Sequence, residues 1–193
     1  MKTRLVLAST SPFRKAILEK LALPFETASP NVDEALLPDE IPEQLVARLS
    51  EAKARAVASE YNSALIIGSD QVAVMDGRVV GKPGNHDAAV AQLKRASGKR
   101  VSFLTGLCLY NTQTDTAQVD VIPFNVLFRQ LSAQQIEHYL EKEQPYQCAG
   151  SFKSEGLGIA LFEKLEGDDP NTLMGLPMIR LVQMLEKEQY NVL

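Results

Sequence analysis

Leu5-Val6-Leu7-Ala8 runs directly into Ser9-Thr10-Ser11-Pro12-Phe13-Arg14, and that junction is suited to holding a phosphate. A helix start leaves backbone N–H groups unpaired and carries partial positive charge, both of which attract anions. Ser9, Thr10 and Ser11 add hydroxyl groups, Pro12 suits the first helical turn, and Arg14 can fork onto phosphate oxygens. The same residues also describe an ordinary strand–turn–helix with a good N-cap. Asp70 follows the apolar run Ala64-Leu65-Ile66-Ile67-Gly68. Its expected place is just past the carboxyl end of a strand, where open α/β sheets bind their ligands. A carboxylate there either holds a magnesium ion or activates a water, or it caps the turn into Val72.

Lys53 interrupts an otherwise apolar face. On the helix starting at Pro42, Leu45, Leu49, Ala52 and Ala56 form a stripe widened by Val46 and Val57. At roughly 100° per residue Lys53 falls inside that stripe, whereas Arg48, Glu51 and Arg55 point to solvent. Such a lysine either snorkels out along its stem or meets an anion at the edge of a cleft. Lys82 stands on the rigid turn Gly81-Lys82-Pro83-Gly84, and its closeness in sequence to Asp70 makes it a candidate phosphate ligand. Asp33 and Glu34 lie in an acidic loop, and one of them is a candidate second metal ligand. The segment from Gly150 to Gly156 is bracketed by glycines that let backbone approach a ligand. Ser97-Gly98-Lys99-Arg100 lacks the remaining parts of a P-loop, and Ser151 and Ser154 do not fit a G-x-S-x-G elbow.

The elements that must position these groups alternate between strand and helix, as in an α/β protein. Helices are expected over 12–21, 42–59, 86–96 and 177–187, with another opening at the capping box Ser132-Ala133-Gln134-Gln135 and ending before Pro145. Strands are expected over 5–8, 25–28, 64–68, 101–110, 119–128 and 159–162. Asp76-Gly77 between Val72–Met75 and Arg78–Val80 is a two-residue hairpin signal. The two long apolar strands, 101–110 and 119–128, are expected to pair antiparallel.

With 193 residues, 45% hydrophobic and 23% charged, the chain is expected to form one domain spanning 1–193 with a sizeable core. A net charge of -4 offers no footprint for nucleic acid or an anionic membrane. Met1-Lys2-Thr3-Arg4 resembles the start of a signal peptide, but the apolar stretch behind it is too short, and no run is long enough to span a bilayer. The expected location is therefore cytoplasmic. Cys108 and Cys148 read as buried thiols with no disulfide framework, and His86 and His138 lack the spaced partners of a metal site or a triad. Chemistry is left to carboxylates, lysines, arginines and hydroxyls.

The segments Leu7–Arg14, Val32-Asp33-Glu34, Lys53, Gly68-Ser69-Asp70-Gln71-Val72, Gly81-Lys82-Pro83 and Ala149-Gly150-Ser151-Phe152 together resemble the Maf family of nucleotide pyrophosphatases along essentially the whole chain. The resemblance implies a mixed α/β sheet flanked by helices, like the inosine-triphosphate pyrophosphatases, with two lobes around a deep cleft and assembly as a homodimer. It implies hydrolysis of a nucleoside triphosphate to a monophosphate and pyrophosphate with a divalent cation, Mg²⁺ or Mn²⁺. By position, Asp70 matches the catalytic proton acceptor, Ser9, Arg14, Lys53 and Lys82 the phosphate ligands, and Glu34 and Asp70 the metal-linked carboxylates. Phe13, Gln71 and Glu155 fall on the positions tied to substrate choice. The commoner dTTP/UTP type carries arginine, threonine and glutamine there, so this chain looks like the subgroup acting on 7-methyl-GTP. An N7-methylated guanine is cationic: it gains a cation–π contribution on Phe13, and Glu155 can offset its charge or accept from its exocyclic amine. The alternatives are a dTTP/UTP pyrophosphatase and a nucleotide-binding regulator of cell division without turnover.

Overall fold

Alternation along two parallel strands decides which helix covers each face. In the computed structural model, which describes residues 3–193, β1 (Arg4–Ala8) pairs parallel with β3 (Ala64–Met75), Leu5 opposite Leu65 and Leu7 opposite Ile67. A short β2 (Glu26–Ala28) pairs parallel on the other side of β1. Leu5, Leu7, Leu65 and Ile67 pack on Ile17 and Leu18 of α1 (Pro12–Glu19) and on Leu181 and Leu185 of α5 (Met178–Lys187). Their neighbours Val6, Ala8, Ala64 and Ile66 turn the other way, onto Ala54 and Val57 at the end of α2 (Pro42–Ala56). Both faces are thereby covered, as a parallel pair requires.

Helix α2 lies unusually close to this sheet. A Cβ on Gly68 of β3 would collide with the Ser50 carbonyl oxygen, and one on Gly106 of β5 (Arg100–Asn111) with that of Val46. Two glycines thus admit the helix backbone itself, and the approach brings Lys53 onto the strand that carries Asp70.

The remaining strands are β4 (Arg78–Val80), β6 (Thr116–Phe128) and β7 (Phe162–Glu166). The order is β2-β1-β3-β5-β6-β7, with β4 paired to β3. The chain divides into two compact units, one comprising the chain up to Gln71 with Thr105–Ile122 and Asp169–Leu193, the other Val72–Leu104 with Pro123–Asp168. In the second unit β3 and β4 form the antiparallel hairpin expected at Asp76-Gly77, both turn residues having positive φ. Helices α3 (His86–Ala96) and α4 (Ala133–Glu143) belong to the same unit. Phe103, Phe128, Phe152 and Phe162 meet there edge to face, and β7 pairs antiparallel with β6.

Four expectations need correction. The strand expected to stop at Gly68 continues to Met75, so Asp70 lies inside β3 and does not cap a turn. Its polar neighbours are tolerated because each side chain has a partner, described below. Ile159 is not in a strand: Leu157–Leu161 is a 3₁₀ turn and the strand starts at Phe162. Helix α2 ends at Ala56, which is exposed, and the buried stripe runs through Ser50, Lys53 and Ala54. The loop between β5 and β6 is shorter than expected, Thr116 and Ala117 already being in strand. Met1 and Lys2 of the basic start lie outside the described residues. Both cysteines are free thiols; Cys108 is buried and Cys148 half-buried. Among the described residues no helix is long and apolar enough to cross a membrane.

Candidate active site

The end of β1 and the middle of β3 gather most of the groups singled out from the sequence. Ser11 caps α1 by accepting from the Arg14 N–H at 3.4 Å, with Pro12 in the first helical position. Ser9, 7% exposed, accepts from the Ser11 N–H at 3.2 Å and from Arg14 Nη1 at 3.5 Å. Arg14 is turned back from the helix by a 2.9 Å bond from Nε to the Gly175 carbonyl. Burial pulls its guanidinium below its ordinary basicity, and the carboxylates of Asp70 and Glu34 oppose that pull. The residue keeps its charge at neutral pH.

Along β3, period-two alternation sends Ser69 and Gln71 one way and Asp70 the other. Ser69 Oγ donates to the Gly175 carbonyl at 2.8 Å, so that one oxygen is held by both Ser69 and Arg14. Gly175 closes the 3₁₀ turn Pro170–Met174 with φ +93°, and a Cβ there would stand 3.0 Å from Arg14 Nε. Gln71 Nε2 donates to the carbonyls of Thr172 at 2.7 Å and Leu173 at 3.3 Å, and to Thr105 Oγ1 at 2.9 Å. Carbonyls only accept, so these contacts fix which end of the amide is which.

On the α2 side, Lys53 Nζ lies 2.7 Å from Asp70 Oδ1 and 2.7 Å from Glu34 Oε1. The Lys53 and Asp70 side chains are 9% and 11% exposed, that of Glu34 61%. Lys53 does not snorkel to solvent; its ammonium pairs with two carboxylates of the protein itself. Asp33 turns its carboxylate to the Ala35 N–H. The two carboxylates share one ammonium and also feel the Arg14 guanidinium, and hard oxygen donors of this kind suit Mg²⁺ or Mn²⁺. Among the described residues no cluster of three or more potential metal ligands occurs, so a cation at this pair would take further oxygens from phosphate and water.

Phe13, next to Arg14, is 42% exposed. Lys82 and Glu155 belong to the second unit. Lys82 is exposed on an irregular segment tethered by Gln92 Nε2 to Gly81 O and by Gly84 N–H to Tyr146 O. Glu155 is exposed beside Ser154 Oγ. Gly156 serves protein packing: a Cβ there would stand 2.9 Å from the Glu143 carboxylate. Sequence reasoning missed Gly175, whose signal was the Gly-Leu-Pro turn before α5, and Arg48, whose partners have no sequence spacing that announces them. Arg48 was expected in solvent, but its side chain is only 32% exposed and paired with Glu40.

Residues 4–188 match the family profile of Maf-like proteins. A 7-methyl-GTP pyrophosphatase of Colwellia psychrerythraea is 61% identical over 193 residues, covering 100% of this chain and 96% of that protein. One of the same name from Nitrosococcus oceani is 59% identical over 189 residues, 98% of this chain and 95% of the relative. Among solved structures, the Staphylococcus aureus Ham1 protein aligns with a TM-score of 0.54 at 13% identity, covering 96% of this chain and 99% of that one. That likeness is one of fold.

Proposed function

The chain belongs to the Maf family, and from that footing we propose that it is a nucleoside triphosphate pyrophosphatase acting on 7-methyl-GTP. The products are 7-methyl-GMP and pyrophosphate. The observation that carries the reading is the buried ammonium of Lys53 bridging Asp70 and Glu34, beside a helix start armed with Ser9 and Arg14. The full-length relatives named for this reaction support the choice of substrate.

Water attacks the α-phosphorus in line with the bridging oxygen to the β-phosphate. The P–O bond to that oxygen breaks, and pyrophosphate leaves with the electron pair. Lys53 takes Asp70 Oδ1, so Oδ2 is the oxygen we assign to receive the water's proton. Arg14, Lys53 and the N–H groups opening α1 offset the negative charge that grows on the leaving group. Glu34 and Asp70 would hold Mg²⁺ or Mn²⁺, which supplies charge neutralisation on the triphosphate. Phe13, already solvent-exposed, stacks on the cationic base. Gln71, its amide nitrogen committed to three acceptors, retains Oε1 to accept from a base N–H. We assign the activity to a single catalytic domain that works in the cytoplasm as a homodimer.

Pyrophosphate release from 7-methyl-GTP, GTP, dTTP and UTP, with and without Mg²⁺ or Mn²⁺, tests it. The expected result is metal-dependent release favouring 7-methyl-GTP. Preference for dTTP or UTP overturns the substrate, and tight nucleotide binding with no release under either cation overturns the enzyme.

A further inference from the structure

Glu34 occupies irregular chain between β2 and α2, yet its carboxylate is brought to 2.7 Å from Lys53 Nζ. An exposed side chain on such a segment sacrifices backbone and rotamer freedom to stay there, so the segment needs an anchor. Arg48, five residues before Lys53 on α2, supplies one. Its Nε and Nη2 meet the two oxygens of Glu40 at 2.6 and 2.8 Å, and Nη2 also donates to the Ala35 carbonyl at 3.0 Å. Ala35 is the residue directly after Glu34. Glu40 ties down the same segment by accepting from the Leu37 N–H at 3.1 Å. The pairing is bidentate and planar, the geometry in which arginine is not replaceable by lysine. Arg48 also lowers the Glu40 carboxyl to about 2, so the grip persists across the physiological range.

We propose that Arg48 and Glu40 are a positioning pair: by clamping the segment on both sides of Leu36 and Leu37 they set Glu34 beside Asp70, and so set the affinity of the site for its divalent cation. Neither residue touches substrate. The inference rests on the reading of Glu34 and Asp70 as the cation's holders, and it separates from a purely structural role in one respect. A brace that serves only folding changes stability and leaves cation affinity alone, whereas a positioning pair moves cation affinity in the folded protein.

The test uses full-length Arg48→Met, Glu40→Gln, the double variant and Glu34→Gln. Mn²⁺ binding is followed by the loss of the free-ion EPR signal, and half-maximal Mn²⁺ is read from pyrophosphate release. Arg48→Met and Glu40→Gln should each weaken Mn²⁺ binding by roughly three- to tenfold, between the worth of an exposed ion pair and that of a charge-assisted hydrogen bond. The double variant should be no worse than the poorer single, and release at saturating Mn²⁺ should stay within about twofold of wild type, as expected when only a ground-state ligand is displaced. Glu40→Gln removes no bulk and serves if Arg48→Met folds poorly, as judged by far-UV circular dichroism. Wild-type Mn²⁺ binding in both singles while Glu34→Gln is weakened overturns the inference, as does unchanged binding in Glu34→Gln. If wild type releases no pyrophosphate, the functional reading fails while the EPR arm still decides the inference.

Discussion

Lys53→Met keeps the bulk of the stem and removes only the charge, so it isolates what the ammonium does between Asp70 and Glu34. At 2.7 Å, and with an effective dielectric of about 20, the gross attraction to Asp70 is ~6 kcal/mol. Desolvating both partners cancels much of that, and breaking a fully buried pair typically costs about 3–5 kcal/mol. Here one side of the cluster is open, Glu34 being 61% exposed, so a loss of roughly 2–4 kcal/mol is expected. Asp70→Asn should cost less, because Lys53 keeps Glu34. Combining the two changes removes the stranded carboxylate, and the double variant should recover to within about 1 kcal/mol of Asp70→Asn alone. The chain has no tryptophan, so urea unfolding followed by far-UV circular dichroism is the suitable assay. A Lys53→Met protein as stable as wild type, or singles that simply add, would mean that the Asp70 carboxylate is satisfied without the ammonium, and the reasoning would be refuted.

Gly175→Ala places a methyl 3.0 Å from Arg14 Nε at a backbone φ of +93°; it should destabilise by about 1–2 kcal/mol and raise KM for nucleotide more than it lowers kcat, as steady-state kinetics will show. Glu40 ionises near 2 in the folded chain against an ordinary 4.5 because Arg48 holds its anion. The resulting stability is complete above its ordinary value and is lost as pH falls towards 2, so the difference in Tm between wild type and Glu40→Gln should shrink from pH 6 down to pH 2.5; a constant difference contradicts the pairing. Burial raises the Cys108 thiol to about 12, and the native protein should resist alkylation there at pH 8 until urea unfolds it, which mass spectrometry can follow.

Local rules were enough where local chemistry decides the structure. Pro12 and Pro42 start helices, the box at Ser132–Gln135 caps α4, and Asp76-Gly77 turns a hairpin because positive φ is demanded there. Lys53 stood out for a related reason: a charge on an apolar stripe must either snorkel to water or pair. The partner itself was not legible, since Glu34 is brought to it by a clamp between Arg48 and Glu40. The middle of β3 misled because Ser-Asp-Gln reads as a strand stop, whereas Gly175 O, Lys53 and Thr172 O satisfy the three side chains from distant parts of the sequence. Ile159 misled in the opposite sense. An apolar run suggests a strand, but Gly156 and Gly158 admit a tight turn, and pairing with β6 begins only at Phe162.

Single-turnover pyrophosphate release by Asp70→Asn with saturating 7-methyl-GTP and Mg²⁺, alongside nucleotide binding by the same protein, bears most directly on the chemistry assigned to this site. The account predicts a fall of roughly 10²–10⁴ in rate with binding within a few-fold of wild type. Release at close to the wild-type rate would contradict it.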